Sequence, residues 1–105
     1  MKDRQLNFVN GGWVSHDEAC TTFDDILANI IIGQEYLQRE FGVQATTGWQ
    51  IDAFGHSTAN AYLYAEMGYD ALIFARMSDD LKVGLRGSQD MEFNWSPSFH
   101  PNQGS

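Results

Sequence analysis

Two different spacings of apolar residues divide the chain into predicted elements. After Thr22 the apolar residues recur every three or four positions, which predicts an amphipathic helix. Thr21 or Thr22 can cap its start, and Gly42 can end it because glycine adopts the left-handed conformation common after a helix. The apolar positions of this predicted helix are Phe23, Ile26, Leu27, Ile30, Ile31, Leu37 and Phe41.

Shorter apolar runs predict strands on both sides of a second helix. The strands are predicted over residues 6–9, 47–52 and 71–76, and the second helix starts at Ser57 and stops at Gly68. The 71–76 run is almost continuously apolar, which is typical of a strand buried on both faces of a parallel sheet. A weaker helix near 79–85 and a further strand near 91–95 complete the prediction.

The order strand, helix, strand, helix, strand indicates an α/β fold with parallel strands and right-handed crossovers. Residues 96–105, rich in Pro, Ser, Asn and Gly, are predicted to be an irregular tail. A complete α/β barrel typically needs about 250 residues. We therefore interpret residues 1–105 as part of a larger domain.

Composition and charge narrow the classes of partner. The chain is 43% apolar and 13% aromatic, which indicates a globular protein. Its formal charge of −8, from 14 acidic and 6 basic residues, disfavours nucleic acid and anionic membranes because both would repel it. The sequence contains neither a predicted membrane span nor a signal peptide, and its one cysteine, Cys20, cannot form an internal disulfide.

Candidate chemistry lies where the predicted strands end, because ligands of parallel α/β folds bind at the carboxyl ends of the strands. The residues there are Asn10, Asp52 and Arg76. Asp52 precedes an aromatic residue and a glycine turn, a useful place for a catalytic carboxylate, although it could instead cap the next turn or helix. Arg76 could contact a carboxylate or ligand oxygens, with a structural salt bridge as the alternative.

The histidines give a weaker signal. His56 follows Asp52 by four residues and suggests a metal pair, but a zinc site typically needs three or four ligands. We therefore interpret His56 as a hydrogen-bonding loop residue. His16 and His100 lie in polar loop contexts and are assigned no role.

Two segments resemble family 38 glycoside hydrolases of the α-mannosidase type, specifically the lysosomal or vacuolar branch. Residues 8–14 read Phe-Val-Asn-Gly-Gly-Trp-Val and are followed by Asp-Glu-Ala at 17–19; residues 49–57 read Trp-Gln-Ile-Asp-Ala-Phe-Gly-His-Ser. The similarity extends over about residues 6–95. Ala53 departs from the proline usual in the family, and residues 77–80 depart from the sequence usual in the lysosomal branch.

The resemblance implies a fragment of a seven-stranded (β/α) barrel with parallel strands, from an enzyme that removes terminal α-linked mannose from N-linked oligosaccharides. It implies a Zn²⁺-dependent retaining mechanism in which Asp52 is both nucleophile and metal ligand. It also implies that Phe54 and Arg76 contact the sugar. The expected location is the lysosome or vacuole, or outside the cell.

The same resemblance implies that the remaining zinc ligands and the acid/base residue lie outside this chain, so the chain alone is expected to be inactive. A competing hypothesis is a non-catalytic carbohydrate-binding or interaction fragment in which Asp52 and Arg76 form a buried structural ion pair. A third hypothesis is a different metal-dependent α/β hydrolase.

Overall fold

The structure, a computed structural model, describes residues 5–96 and contains three helices and two strands in that range. The two strands are parallel and the second helix connects them, as predicted for the segment from residue 47 to residue 76. The elements are α1 (Phe23–Phe41), β1 (Thr47–Gln50), α2 (Thr58–Glu66), β2 (Ala71–Phe74) and α3 (Asp79–Ser88).

Local side-chain chemistry fixes both ends of α1. Thr22 accepts a hydrogen bond from the amide of Asp25 at 3.3 Å, and the Asp25 carboxylate accepts one from the amide of Thr22, also at 3.3 Å. At the other end Gly42 has φ 66° and its amide donates to the carbonyl of Gln38 at 3.0 Å. The predicted helix and its two caps are therefore confirmed.

The core lies between α1 and α2. Ile26 and Ile30 of α1 pack with Leu63 and Tyr64 of α2, and each is at most 6% exposed. β1 and β2 pair from Thr47 opposite Ala71 to Gln50 opposite Phe74. The partly buried residues around this core are Leu27, Met67, Tyr69 and Leu72.

Several predictions about the strands are wrong. Residues 6–9 and 91–95 are irregular, and the side chain of Leu6 is 62% exposed. β2 is not buried on both faces, since Ile73 is 44% exposed; within the described residues the sheet has two strands and no further layer covers this side. β1 ends at Gln50 and β2 ends at Phe74, each two residues before its predicted limit.

The remaining boundaries agree more closely. Ser57 caps α2, Gly68 follows it with φ 80°, and the weaker helix predicted near 79–85 is present as α3. Within residues 5–96 no helix is long and apolar enough to cross a bilayer. The predicted tail beyond Ser96, with His100, lies outside the described residues.

Candidate active site

Asp52 and Arg76 meet just beyond the carboxyl ends of the two parallel strands. Because Gln50 pairs with Phe74, the residues two positions further on leave the sheet at the same edge. Nε of Arg76 donates to Oδ1 of Asp52 at 3.0 Å, and Nη2 donates to the same oxygen at 2.5 Å. The two strand-end candidates are thus brought together as an ion pair.

The geometry of this pair leaves one carboxylate oxygen free of the guanidinium. Both donors of Arg76 use Oδ1, so Oδ2 of Asp52 has no hydrogen-bond partner among residues 5–96 and is open to another group. The side chains are 77% exposed for Asp52 and 53% exposed for Arg76. The ion pair of the competing hypothesis is therefore present, but among residues 5–96 it is exposed and not buried. The cap of α2 is Ser57, not Asp52.

Phe54 stands beside the same pair. Its ring centroid lies 4.8 Å from Cζ of Arg76, a cation–π distance, and the residue is 79% exposed. Phe54 therefore presents an open apolar surface next to the guanidinium. The three residues singled out by the sequence, Asp52, Phe54 and Arg76, form one exposed patch of carboxylate, ring and cation.

His56 holds the loop behind this patch. Its Nδ1 lies 2.7 Å from Oε2 of Glu18, and its Nε2 lies 2.9 Å from the backbone oxygen of Arg76. The interpretation of His56 as a hydrogen-bonding loop residue is confirmed. Glu18 also accepts from the amide of Ser57 at 3.3 Å through Oε1, and its side chain is 2% exposed.

Sequence reasoning missed Glu18 as part of this arrangement. Its contact with His56 spans 38 residues, and no spacing rule predicts such a contact. The available signal was its position in the Asp-Glu-Ala segment of the resemblance. The preceding residue, Asp17, accepts hydrogen bonds from the amides of Cys20 and Ala19, and these bonds lower the pKa of Asp17.

Asn10, the third strand-end candidate, is a buried structural residue. It adopts a left-handed φ of 63°, and its Oδ1 accepts from the amide of Trp49 at 3.2 Å and from the hydroxyl of Tyr64. Its backbone amide donates to Thr47 at 2.7 Å and its backbone oxygen accepts from Tyr69 at 2.6 Å. Asn10 therefore joins the N-terminal segment to β1 and does not contact Asp52.

His16 is likewise buried, although its sequence context is polar. Its Nε2 lies 2.8 Å from Oδ1 of Asn60, and its backbone oxygen accepts from the side chain of Gln50 at 3.2 Å. These contacts link the N-terminal segment to β1 and α2. They explain why His16 belongs to the interior of the fold and not to the exposed patch.

The described residues supply only part of a metal-binding site. Residues 5–96 contain no group of three or more His, Cys, Asp or Glu side chains that could hold one. The exposed carboxylate of Asp52 offers a hard oxygen ligand, a type that zinc accepts. Asp52 therefore fits zinc as a single ligand, and further ligands have to come from other groups.

The fold and the patch define a parallel α/β unit with a carboxylate presented at the carboxyl edge of its strands. The sequence matches the glycosyl hydrolases family 38 N-terminal domain over residues 1–101. The chain belongs to this family, which confirms the resemblance seen in the sequence.

Curated relatives agree with this membership. The chain is 41% identical over 99 residues to an "Alpha-mannosidase" of Canavalia ensiformis, covering 93% of this chain and 10% of that protein. It is 42% identical over 96 residues to a "Lysosomal alpha-mannosidase" of Dictyostelium discoideum, covering 90% of this chain and 9% of that protein. It is 36% identical over 98 residues to "Alpha-mannosidase F" of the same organism. The chain thus spans about a tenth of the length of these relatives.

Proposed function

We propose that the protein containing this chain hydrolyses terminal α-linked mannose from oligosaccharides by a zinc-dependent retaining mechanism. The observation that carries the proposal is the exposed Asp52 carboxylate, with Oδ1 held by Arg76 and Oδ2 open, at the carboxyl edge of two parallel strands. A retaining glycosidase needs a carboxylate that can reach the anomeric carbon from solvent. Membership of a glycoside hydrolase family supports the same chemistry.

Each residue of the patch has a distinct role in this mechanism. Asp52 attacks the anomeric carbon through Oδ2 as the glycosidic C–O bond breaks, which forms the covalent glycosyl intermediate; the leaving oxygen takes a proton from the acid/base residue. Arg76 fixes the orientation of the carboxylate through Oδ1. Phe54 offers its exposed ring to the apolar face of the sugar. A zinc ion bound beside Asp52 would supply Lewis acidity and contacts to sugar hydroxyls. The second carboxyl group, the acid/base of a retaining pair, is assigned to a residue outside this chain.

The proposal extends to fold and location. Two parallel strands joined by a helix are the repeating unit of a (β/α) barrel, so we infer that residues 5–96 contribute such units to a seven-stranded barrel. Relatives named lysosomal α-mannosidase in Dictyostelium discoideum and Cavia porcellus support a lysosomal or vacuolar location. The substrate proposed is a mannose-containing oligosaccharide.

Covalent trapping tests the nucleophile directly. The full-length protein is incubated with a fluorinated mannosyl substrate that slows turnover of the intermediate, digested, and analysed by mass spectrometry. The sugar should be attached to the peptide that contains Asp52.

The control is Asp70→Asn, an exposed carboxylate just before the amino end of β2, at the opposite edge of the sheet. It should leave both trapping and turnover of an aryl α-mannoside unchanged. A label on any other peptide, or near-normal turnover of Asp52→Asn, would show that the nucleophile is misassigned.

A further inference from the structure

Glu18, His56 and the backbone of Arg76 form a continuous chain of hydrogen bonds behind the exposed patch. The Glu18 carboxylate contacts Nδ1 of His56, and Nε2 of His56 contacts the carbonyl oxygen of Arg76. The Glu18 and His56 side chains are 2% and 13% exposed. The Glu18–His56 contact is therefore largely buried, whereas the His56–Arg76 contact and the Asp52–Arg76 pair lie at the exposed surface.

The partners of His56 fix its protons. A carbonyl oxygen can only accept, so Nε2 has to carry a proton and donate it to Arg76. The other ring nitrogen, Nδ1, lies 2.7 Å from Oε2 of the Glu18 carboxylate. Glu18 and the carbonyl of Arg76 together therefore fix the orientation of the ring. The ring also packs against Phe74, the last residue of β2, with centroids 4.7 Å apart.

The chain of hydrogen bonds ends on the residue that holds Asp52. Arg76 is fixed twice: its backbone oxygen by His56 and its guanidinium by Asp52. Glu18 fixes the loop of Asp52 as well, because Oε1 accepts from the amide of Ser57 at the far end of that loop. One buried carboxylate thus sets the position of both members of the exposed ion pair.

We propose that Glu18 is a positioning residue for the reaction: through His56 it holds the backbone at Arg76, so that the guanidinium keeps Oδ1 of Asp52 and leaves Oδ2 open. The kinetic test of this inference rests on the proposed function, but the predicted contact between Arg76 and Asp52 does not. Misplacement of a reacting group by about 1 Å can cost on the order of 100-fold in rate. Small displacements of Arg76 are therefore sufficient to reduce turnover.

Substitution of Glu18 in the full-length protein tests the proposal. Glu18→Met keeps the buried volume but removes the partner of His56, and kcat for an aryl α-mannoside should fall about 10-fold or more with KM changed far less. Glu18→Gln should stay within about 3-fold of the parent, because the amide can still donate to Nδ1 and accept from Ser57. Glu66→Ala, an exposed glutamate at the end of α2, is the matched control and should have no effect.

A double-mutant cycle separates positioning from a general loss of structure. In an Arg76→Ala background Glu18→Met should cost less than about 2-fold, because the contact that it supports is already absent. An equal loss in both backgrounds overturns the proposal. If Glu18→Met does not fold, Glu18→Asp takes its place: it keeps the charge, shortens the reach by one methylene, and should show the same dependence on Arg76.

A crystal structure of the Glu18 variant decides the geometry without turnover. The guanidinium of Arg76 should have left Oδ1 of Asp52 in Glu18→Met and kept it in Glu18→Gln. If the Arg76–Asp52 contact is unchanged in Glu18→Met, the inference is wrong whatever the activity. If the parent protein shows no mannosidase activity, the proposed function fails while this structural comparison still tests the role of Glu18.

Discussion

Arg76 is suited to its position by the shape of its guanidinium as well as by its charge. Two of its N–H groups converge on Oδ1 of Asp52, and its Cζ lies over the ring of Phe54. A lysine has a single ammonium and cannot make both contacts in the same geometry. The planar fork therefore sets the direction of the carboxylate, which a point charge does not.

Replacement of Arg76 by lysine should accordingly reduce kcat/KM of the full-length protein about 10–100-fold, or roughly 1.4–2.7 kcal/mol in transition-state stabilisation. Steady-state kinetics with an aryl α-mannoside measure the effect. Arg86→Lys, in the last turn of α3, is the matched control and should leave the rate unchanged. Turnover of Arg76→Lys within 2-fold of the parent would mean that charge alone suffices.

We expect the folded chain to lose stability at alkaline pH because of Tyr64. Its hydroxyl donates to Asn10, and burial, with a further contribution from Tyr69, raises the pKa of Tyr64 well above its ordinary value. Because the pKa of Tyr64 is higher in the folded state, its contribution to the free energy of unfolding is fully present below the unfolded-state pKa near 10. This contribution is lost as the pH rises above that value. Burial raises the pKa of Tyr69 in the same direction.

Tyr64→Phe should therefore have two effects on the free energy of unfolding of the chain. At pH 8 the variant loses the hydrogen bond to Asn10, worth about 1 kcal/mol. Above pH 10 its stability should fall less steeply than that of the parent, with Tyr69 contributing to the remaining slope. Urea unfolding at both pH values measures this, and identical slopes would contradict the assignment.

The exposed patch could be predicted from the sequence, but its support could not. Asp52 and Arg76 follow parallel strands, so their meeting at one edge depends on strand order and local pattern alone. Glu18 depends on a contact across 38 residues between a loop and a loop. Its role is decided by tertiary packing, for which a single sequence carries no periodic signal.

At the scale of elements, α1 is joined to the N-terminal segment by unusually close backbone contact. Gly33 is buried in α1, and a Cβ added there would lie 2.1 Å from the oxygen of Gly11 and 2.6 Å from the nitrogen of Trp13. Asn29, one helical turn earlier, exchanges two hydrogen bonds of 2.9 Å with the backbone of Val14. The helix and the segment therefore pack without room for a side chain between them.

Gly33→Ala should destabilise the chain although alanine is the better helix former. Overpacking typically costs about 1–3 kcal/mol, and here the neighbours are backbone atoms that cannot rotate away; helix propensity returns at most about 1 kcal/mol. Gly84→Ala in α3 is the matched opposite, because a Cβ there meets nothing within 4 Å, and it should stabilise. Thermal unfolding of both variants tests this, and a stabilised Gly33→Ala would contradict the close packing.

The helices were easier to predict than the strands because their determinants are local. The caps and apolar spacing of α1 lie within the helix or next to it, and its predicted limits are confirmed. A strand depends on a partner distant in sequence, and residues 6–9 do not form one. The backbone hydrogen bond from this segment to β1 comes from the next residue, Asn10, whose amide donates to the carbonyl of Thr47. The apolar run of β2 likewise predicted a strand but not its exposure.

At the scale of the whole molecule, apolar residues remain on the surface around both the sheet and α3. Val83 is 72% exposed and Ile73 is 44% exposed. The full sequence carries a formal net charge of −8. Large apolar patches on a protein surface usually mark places where other protein surface packs. The seven-stranded barrel that we propose would supply further strands and helices at these positions, since each unit of such a barrel contacts its neighbours.

The same reasoning applies to metal affinity. Within residues 5–96 Asp52 offers an open carboxylate oxygen but no cluster of three ligands surrounds it. A zinc site closes only when several ligands converge, so the isolated chain should bind zinc weakly, without a saturable one-to-one isotherm in titration calorimetry. In the full-length protein Asp52→Asn should lower zinc affinity by at least about 10-fold, because loss of even an outer-shell partner of a metal typically has an effect of that size. Asp70→Asn should leave the zinc affinity unchanged. A tight one-to-one site in the isolated chain would contradict the expectation that further ligands come from elsewhere. Unchanged zinc affinity of Asp52→Asn would separate Asp52 from the metal and leave it as nucleophile alone.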